Sequence, residues 1–223
     1  MAEFNYDIIA NPEIFMENRL AAHSDHEYYS CREAAGSGIS DFKVSLNGVW
    51  KLAWTSNIAK APKDFYRTDY DVTGWDDIRV PGHLELQGYG TPAYVNTQYP
   101  WDGHEAIRPG EIPAEYNPTA SYVHFFFVPE MMQGRQVFIS FKGVESGFAL
   151  WLNGHYVGYA EDSFTPSEFD LTPYIDYENE TASPSRSSAL RPAPGARIRI
   201  SSVSPVYSAM LSFTLSRMCM CGI

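Results

Sequence analysis

Cysteine is scarce in this chain, with three among 223 residues. Cys31, Cys219 and Cys221 are too few and too unevenly placed for a disulfide framework. No second pair and no clustered histidine supports a metal reading of Cys219-Met220-Cys221, so free thiols in a reducing, cytoplasmic setting are expected. No apolar stretch approaches the ~20 residues of a membrane span. The opening MAEFNYDIIANPEIF has no basic region leading into an apolar core, so it does not read as a secretory signal. Basic side chains are also few: 16 Lys and Arg stand against 27 Asp and Glu, a formal charge of −11. That balance excludes nucleic acid, which needs a basic footprint, and docking on an anionic membrane. A neutral ligand is indifferent to it.

What is present is apolar and aromatic. The chain is 44% hydrophobic and 15% aromatic, ample for a packed core and unlike a disordered protein. Sixteen Gly and fifteen Pro punctuate many short apolar runs, which favours an all-β domain over a helical bundle. In GVWKLAWT (residues 48–55), Trp50, Leu52 and Trp54 share one face of a strand. YVHFFFV (122–128) is apolar on both faces except at His124, as a central strand would be, and His124 is expected to be a hydrogen-bonded core residue. Val137, Ile139 and Phe141 alternate with Phe138 and Ser140. Phe148, Leu150 and Leu152 share a face, with Trp151 opposite. A two-sheet sandwich is the natural packing of such strands. Residues 12–22 are expected to form a short helix, with Pro12 at its start.

Two stretches are more specific. Residues 143–175, GVESGFALWLNGHYVGYAEDSFTPSEFDLTPYI, read as strands around an Asn153-Gly154 hairpin turn, then a Pro-Ser-Glu-Phe-Asp-Leu corner. Residues 80–96, VPGHLELQGYGTPAYVN, follow the approach Gly74-Trp75-Asp76-Asp77-Ile78-Arg79. Together they resemble the sugar-binding jelly-roll domain at the start of glycoside hydrolase family 2 enzymes, most nearly that of the long bacterial β-galactosidases. The resemblance covers roughly residues 8–178, and includes a leading arm in which Asn18-Arg19 and His23 recur. It implies an all-β, galactose-binding-like jelly-roll sandwich at 41–178 behind an irregular arm at 1–40.

The resemblance further implies that Asn96 reaches the edge of the active site and bonds the sugar, with Tyr94 nearby. An amide suits a hydroxyl because each both donates and accepts. Trp101, in Tyr99-Pro100-Trp101, is a secondary candidate for stacking on a sugar's C–H face, although core or interface packing explains it better. Hydrolysis with retention needs two carboxylates ~5–5.5 Å apart, and the family carries both on a later (β/α)-barrel. Glu145, Glu161, Asp162, Glu168 and Asp170 are therefore expected to be structural, Asp170 turning the chain at the corner. No catalytic residue is assigned and no turnover is expected from this chain alone. Intact members use magnesium and sodium, but no metal or other cofactor ligand carries over. The implied partners are a galactoside, the missing barrel domain or a barrel-bearing chain, and further copies in a homo-oligomer. A free-standing carbohydrate-binding module and an assembly fragment are the alternatives.

Acidic residues and lysine vanish after residue 180. Residues 1–180 hold all twenty-seven acids and eleven of the bases, a formal −16; residues 181–223 hold five Arg and no acid, +5. The resemblance ends at the same point, so residues 179–223 read as an atypical Ser/Pro/Arg-rich tail from a shifted frame or truncated gene, disordered or a linker. The rival is a substitute strand at Arg197-Ile198-Arg199-Ile200. Without a replacement for the closing strands a sheet edge stays open, and poor solubility is expected.

Overall fold

The computed structural model describes residues 4–24, 27–91, 105–108, 111–177, 196–203 and 213–216, the last two segments through their backbone. Eleven strands are described: β1 (Met16–Glu17), β2 (Lys43–Ser45), β3 (Gly48–Thr55), β4 (Asp76–Val80), β5 (Thr119–Phe126), β6 (Phe138–Phe141), β7 (Gly147–Leu152), β8 (His155–Ala160), β9 (Ser167–Asp170), β10 (Ala196–Val203) and β11 (Phe213–Ser216). They make a seven-stranded sheet in the order β1-β8-β7-β10-β5-β3-β4 and a four-stranded sheet in the order β2-β11-β6-β9. Every strand pairing in them is antiparallel.

The main core lies between the sheets, because alternation turns one side of each strand inward. Trp50, Leu52, Tyr122, Phe148 and Leu150 of the large sheet meet Ile139, Phe141 and Phe169 of the small one. Each such side chain contributes about 1.5–3 kcal/mol when fully buried. Trp54 packs against this cluster from its margin, completing the face expected for β3. His124 stacks on Trp50, ring centroids 4.5 Å apart and 11° from parallel. Burial pulls its pKa down, opposed by a hydrogen bond with the Val49 backbone, so the ring is held towards the neutral form.

The large sheet is covered on its other face too, and that cover places the functional regions. Val123, Ala149, Trp151 and Tyr159 point outward there, beneath Ile8 of the arm and Phe65 and Val72 of the β3–β4 connection. β5 is therefore buried on both faces, as its unbroken apolar run requires.

Asn153 (φ 51°) and Gly154 (φ 85°) close the β7–β8 hairpin with positive φ at both central positions, the geometry of a type I′ turn. At the corner, Asp170 Oδ1 accepts from the Thr172 N–H at 2.9 Å, and Thr172 Oγ1 accepts from the Val137 N–H at 2.9 Å. Asp170 turns the chain there, as expected.

The arm departs from expectation. Residues 12–22 are not helical: Met16–Glu17 extends as β1 and pairs with Tyr159 and Ala160. Asn18 adopts φ 56°, which no helix accommodates, and its Nδ2 donates to Val157 O at 2.9 Å. Leu20 N–H donates to Glu168 O at 2.9 Å, and Arg19 Nη2 lies 3.1 Å from Asp162 Oδ2. Bonds to residues far along the chain thus outweigh the local preference. A short helix, α1 (Arg32–Ser37), forms instead where none was expected, with Cys31 Sγ accepting from the Ala34 N–H and Gly38 (φ 71°) ending it.

The change of composition near residue 179 is not a break in the sheet. β10 pairs with β5 along its length and with β7 on its other side, so the Arg197–Ile200 run lies inside a central strand. β11 likewise joins β2 and β6.

Candidate functional site

Asn96, Tyr94 and Trp101 lie in residues 92–104, outside the described residues. The structure describes the two shoulders of that loop. On the first, Val80-Pro81-Gly82 leaves β4 and the Gln87 amide folds back on it. Gln87 Oε1 accepts from Arg79 N–H at 2.9 Å, and Nε2 donates to Arg79 O at 3.0 Å. Gly82 is needed for this clasp: a Cβ there would lie 2.6 Å from Gln87 Nε2 and 2.9 Å from Arg79 O. That is the physical content of the Val-Pro-Gly motif.

On the second shoulder the Glu105 carboxylate accepts from Ala114 N–H at 2.7 Å and Glu115 N–H at 3.0 Å. Buried Asn57 accepts from Ala59 N–H at 2.7 Å and donates through Nδ2 to Ala114 O. Asn57 and Asn117 also bridge through their backbones. Both ends of the loop are therefore pinned to the sandwich.

His83 and Glu85 follow the Val-Pro-Gly turn, and the charge of Glu85 reaches Tyr116 and Glu145, the latter a carboxylate expected from the sequence to be structural. Burial first, and then the charge of Glu85, raise the carboxyl of Glu145 and the phenols of Tyr116 and Tyr122. Glu85 Oε2 and His83 Nδ1 are buried with no hydrogen-bond partner among the described residues. The Glu145 carboxyl is thereby biased towards its protonated form. Glu85 and Glu145 each lie in a stretch the sequence marked, but no spacing connects one to the other.

Three of the other acidic residues weighed from the sequence are engaged in structure. Asp162 bonds Arg19 and Thr165; Glu168 bonds His23; Tyr159 OH donates to Glu161 Oε1 at 2.6 Å. Among the described residues no three His, Cys, Asp or Glu side chains group to hold a metal ion. No chemical step is derived through magnesium or sodium. No helix of the described residues is long and apolar enough to cross a membrane.

By fold the chain falls in the class of antiparallel two-sheet sandwich domains. A crystal structure of a β-glycosidase from Bacteroides vulgatus shares that fold, with a TM-score of 0.51 at 17% identity over 78% of this chain and 20% of that one. The family model described as "Glycosyl hydrolases family 2, sugar binding domain" matches residues 43–183, and the chain belongs to that family. It is 52% identical to a β-galactosidase of Halalkalibacterium halodurans, over 79% of this chain and 18% of that protein. It is 47% identical to a β-galactosidase of Streptococcus thermophilus, over 78% and 17% respectively. With the β-galactosidase large subunit of Leuconostoc lactis the identity is 45%, over 77% of this chain and 29% of that protein. The chain thus spans between 17% and 29% of the length of these curated relatives.

Proposed function

We propose that this chain is the jelly-roll, sugar-binding part of an enzyme that hydrolyses terminal β-D-galactosides. Bond cleavage falls to two carboxylates on a barrel that the described residues do not contain. Asn96 supplies a paired donor and acceptor to a sugar hydroxyl, Tyr94 flanks it, and Trp101 offers a ring face nearby. The observation that carries this reading is the 52% identity over 178 residues to a β-galactosidase, a span that includes the loop and both its shoulders. The hydrogen-bonded segments on either side of residues 92–104 support it further. The partner is a barrel on the same or another chain. Exposed free Cys31 is in keeping with a reducing, cytoplasmic setting.

The test places Asn96→Ala in the sequence joined to a family barrel. Galactoside hydrolysis should fall about tenfold or more in kcat/KM, the loss of one or two hydrogen bonds. The 223-residue chain alone should give no turnover of a chromogenic galactoside. Unchanged kcat/KM would refute the role of Asn96, and turnover by the chain alone would refute the division of labour. Saturable galactoside binding by the chain, with no gain of activity from any barrel, would favour a free-standing carbohydrate-binding module.

A further inference from the structure

A cleft of about 880 Å³ opens on the outer face of the large sheet, between the arm and the β3–β4 connection. That volume falls within the ~300–1,000 Å³ typical of small-molecule sites. Its floor is Trp151 and Tyr156, and its walls are Phe4, Tyr6 and Tyr66. The rings are locked against one another. Tyr66 lies parallel to Trp151 at 5.9 Å and 14°, while Phe4 meets Trp151 edge-on at 5.7 Å and 85°. Tyr6 remains 42% exposed, so apolar ring surface is still open to a ligand.

The rim carries charges of both signs. Asp7, Lys63 and Asp64 line it, and neither Lys63 nor Asp7 is in an ion pair among the described residues. Asp64 takes φ 56°, a left-handed conformation, and accepts from Tyr66 OH at 3.3 Å. Burial, then Tyr66 and Asp64, push the Tyr6 phenol up, so it keeps its proton as a donor.

These features select a ligand class by elimination. Two carboxylates over aromatic rings would suit a quaternary ammonium ion, but Lys63 on the same rim opposes any cation. Asp7 and Asp64 oppose an anion. What remains is a neutral ligand with one apolar face for the rings and a margin of groups that both donate and accept. A pyranoside has that form: its C–H face lies on aromatic rings and its hydroxyls reach carboxylate and ammonium.

We propose that this cleft is a second carbohydrate site, in which Tyr6, Tyr66 and Tyr156 carry the sugar's apolar face while Asp7, Asp64 and Lys63 bond its hydroxyls. It is independent of the role proposed for Asn96. The two share only a shoulder: Ile112 lines the cleft two residues before Ala114, whose carbonyl Asn57 holds.

The test is a titration of the ¹⁵N-labelled 223-residue chain with lactose, following the tryptophan indole and backbone signals by NMR. Shifts should centre on Trp151, Gly154 and Tyr156. Asp64→Asn should weaken the binding about tenfold, as loss of a hydrogen bond to a charged group does, and asparagine tolerates the same left-handed backbone. Lys63→Met, which keeps most of the stem, should act in the same direction. Both positions are exposed, so both variants should fold, and unchanged spectra away from the cleft confirm it. Asn96→Ala should leave these shifts in place. Absence of shifts at Trp151, shifts unaltered by Asp64→Asn and Lys63→Met, or displacement of lactose by choline would each overturn the proposal. Shifts lost in Asn96→Ala alone would place the sugar at the loop and sink the cleft, leaving the first reading intact.

Discussion

His23 Nε2 lies 2.7 Å from Glu168 Oε2, joining the arm to β9 of the smaller sheet. The Glu168 side chain is only 7% exposed while His23 is 33% exposed, so the carboxylate depends on the arm for its partner. Four other bonds converge on the same seam: Arg19 to Asp162, Asn18 to Val157 O, Leu20 N–H to Glu168 O, and Glu161 N–H to Phe15 O.

His23→Ala should therefore destabilise the domain by about 1–3 kcal/mol, because a buried acceptor loses its donor. At this size the melting temperature should fall about 2–4 °C for each kcal/mol. Glu168→Gln, which keeps an acceptor without the charge, should cost less. Thermal melts of the two variants check the order; equal losses would mean that the charge carries the whole interaction.

Asp162 gives a pH dependence with a defined sign. The Thr165 hydroxyl and backbone N–H, with further help from Phe164 N–H and Arg19, hold its carboxyl well below the usual carboxylate range. A depressed folded-state pKa stabilises the fold above the unfolded value of about 4, and that contribution is lost as pH falls through the folded value. Asp162→Asn should remove part of the acid sensitivity, flattening stability against pH below about 4 while lowering it near neutrality. Urea melts between acid and neutral pH read this directly.

Two glycines of one hairpin should fail for different reasons. Gly154 has φ 85°, and an added Cβ would meet only ordinary contacts with Thr68 and Tyr66. Gly154→Ala should then cost about 1–2 kcal/mol from the left-handed backbone alone. Gly158 has no positive φ, yet a Cβ there would lie 2.5 Å from Glu17 O and 2.6 Å from Phe169 Cε1. Gly158→Ala should be the more damaging, since it pushes both β1 and a core ring. Comparison of their midpoints in urea decides it.

Asn153 separates turn geometry from tertiary bonding. Its Nδ2 donates to Tyr174 O at 2.9 Å, tying the hairpin to the corner. Asn153→Gly keeps the turn and loses that bond, so it should cost about 0.5–1.5 kcal/mol. Asn153→Ala should cost more, because it also opposes the positive φ. Equal midpoints for the two variants would mean that the bond, not the turn, sets the cost.

Much of the sandwich was legible in the sequence, because its signals are local. Trp50, Leu52 and Trp54 alternate over a few residues, and Asn153-Gly154 names its own turn. The arm was not legible: its conformation is set by Val157, Asp162 and Glu168, about 140 positions away, and no window of sequence contains both halves of those bonds. Gly158 reads as a small residue in a strand, and only the approach of Glu17 and Phe169 gives it a reason. At the site, the Val-Pro-Gly motif pointed to the loop and Gln87 explains why. The influence of Glu85 on Glu145 was hidden, because the two come from separate segments with no shared spacing.

The central position of β10 has a consequence for how the molecule is made. Two strands synthesised early, β5 and β7, are separated in the finished sheet by a strand that leaves the ribosome much later. Until that strand emerges, the nascent sheet has a gap at its middle rather than a ragged margin. Closure must then wait until Val203 has emerged, in the slow regime of proteins dominated by distant pairings. A chaperone that shields the gap during synthesis would do more for the yield of this domain than any change to its surface.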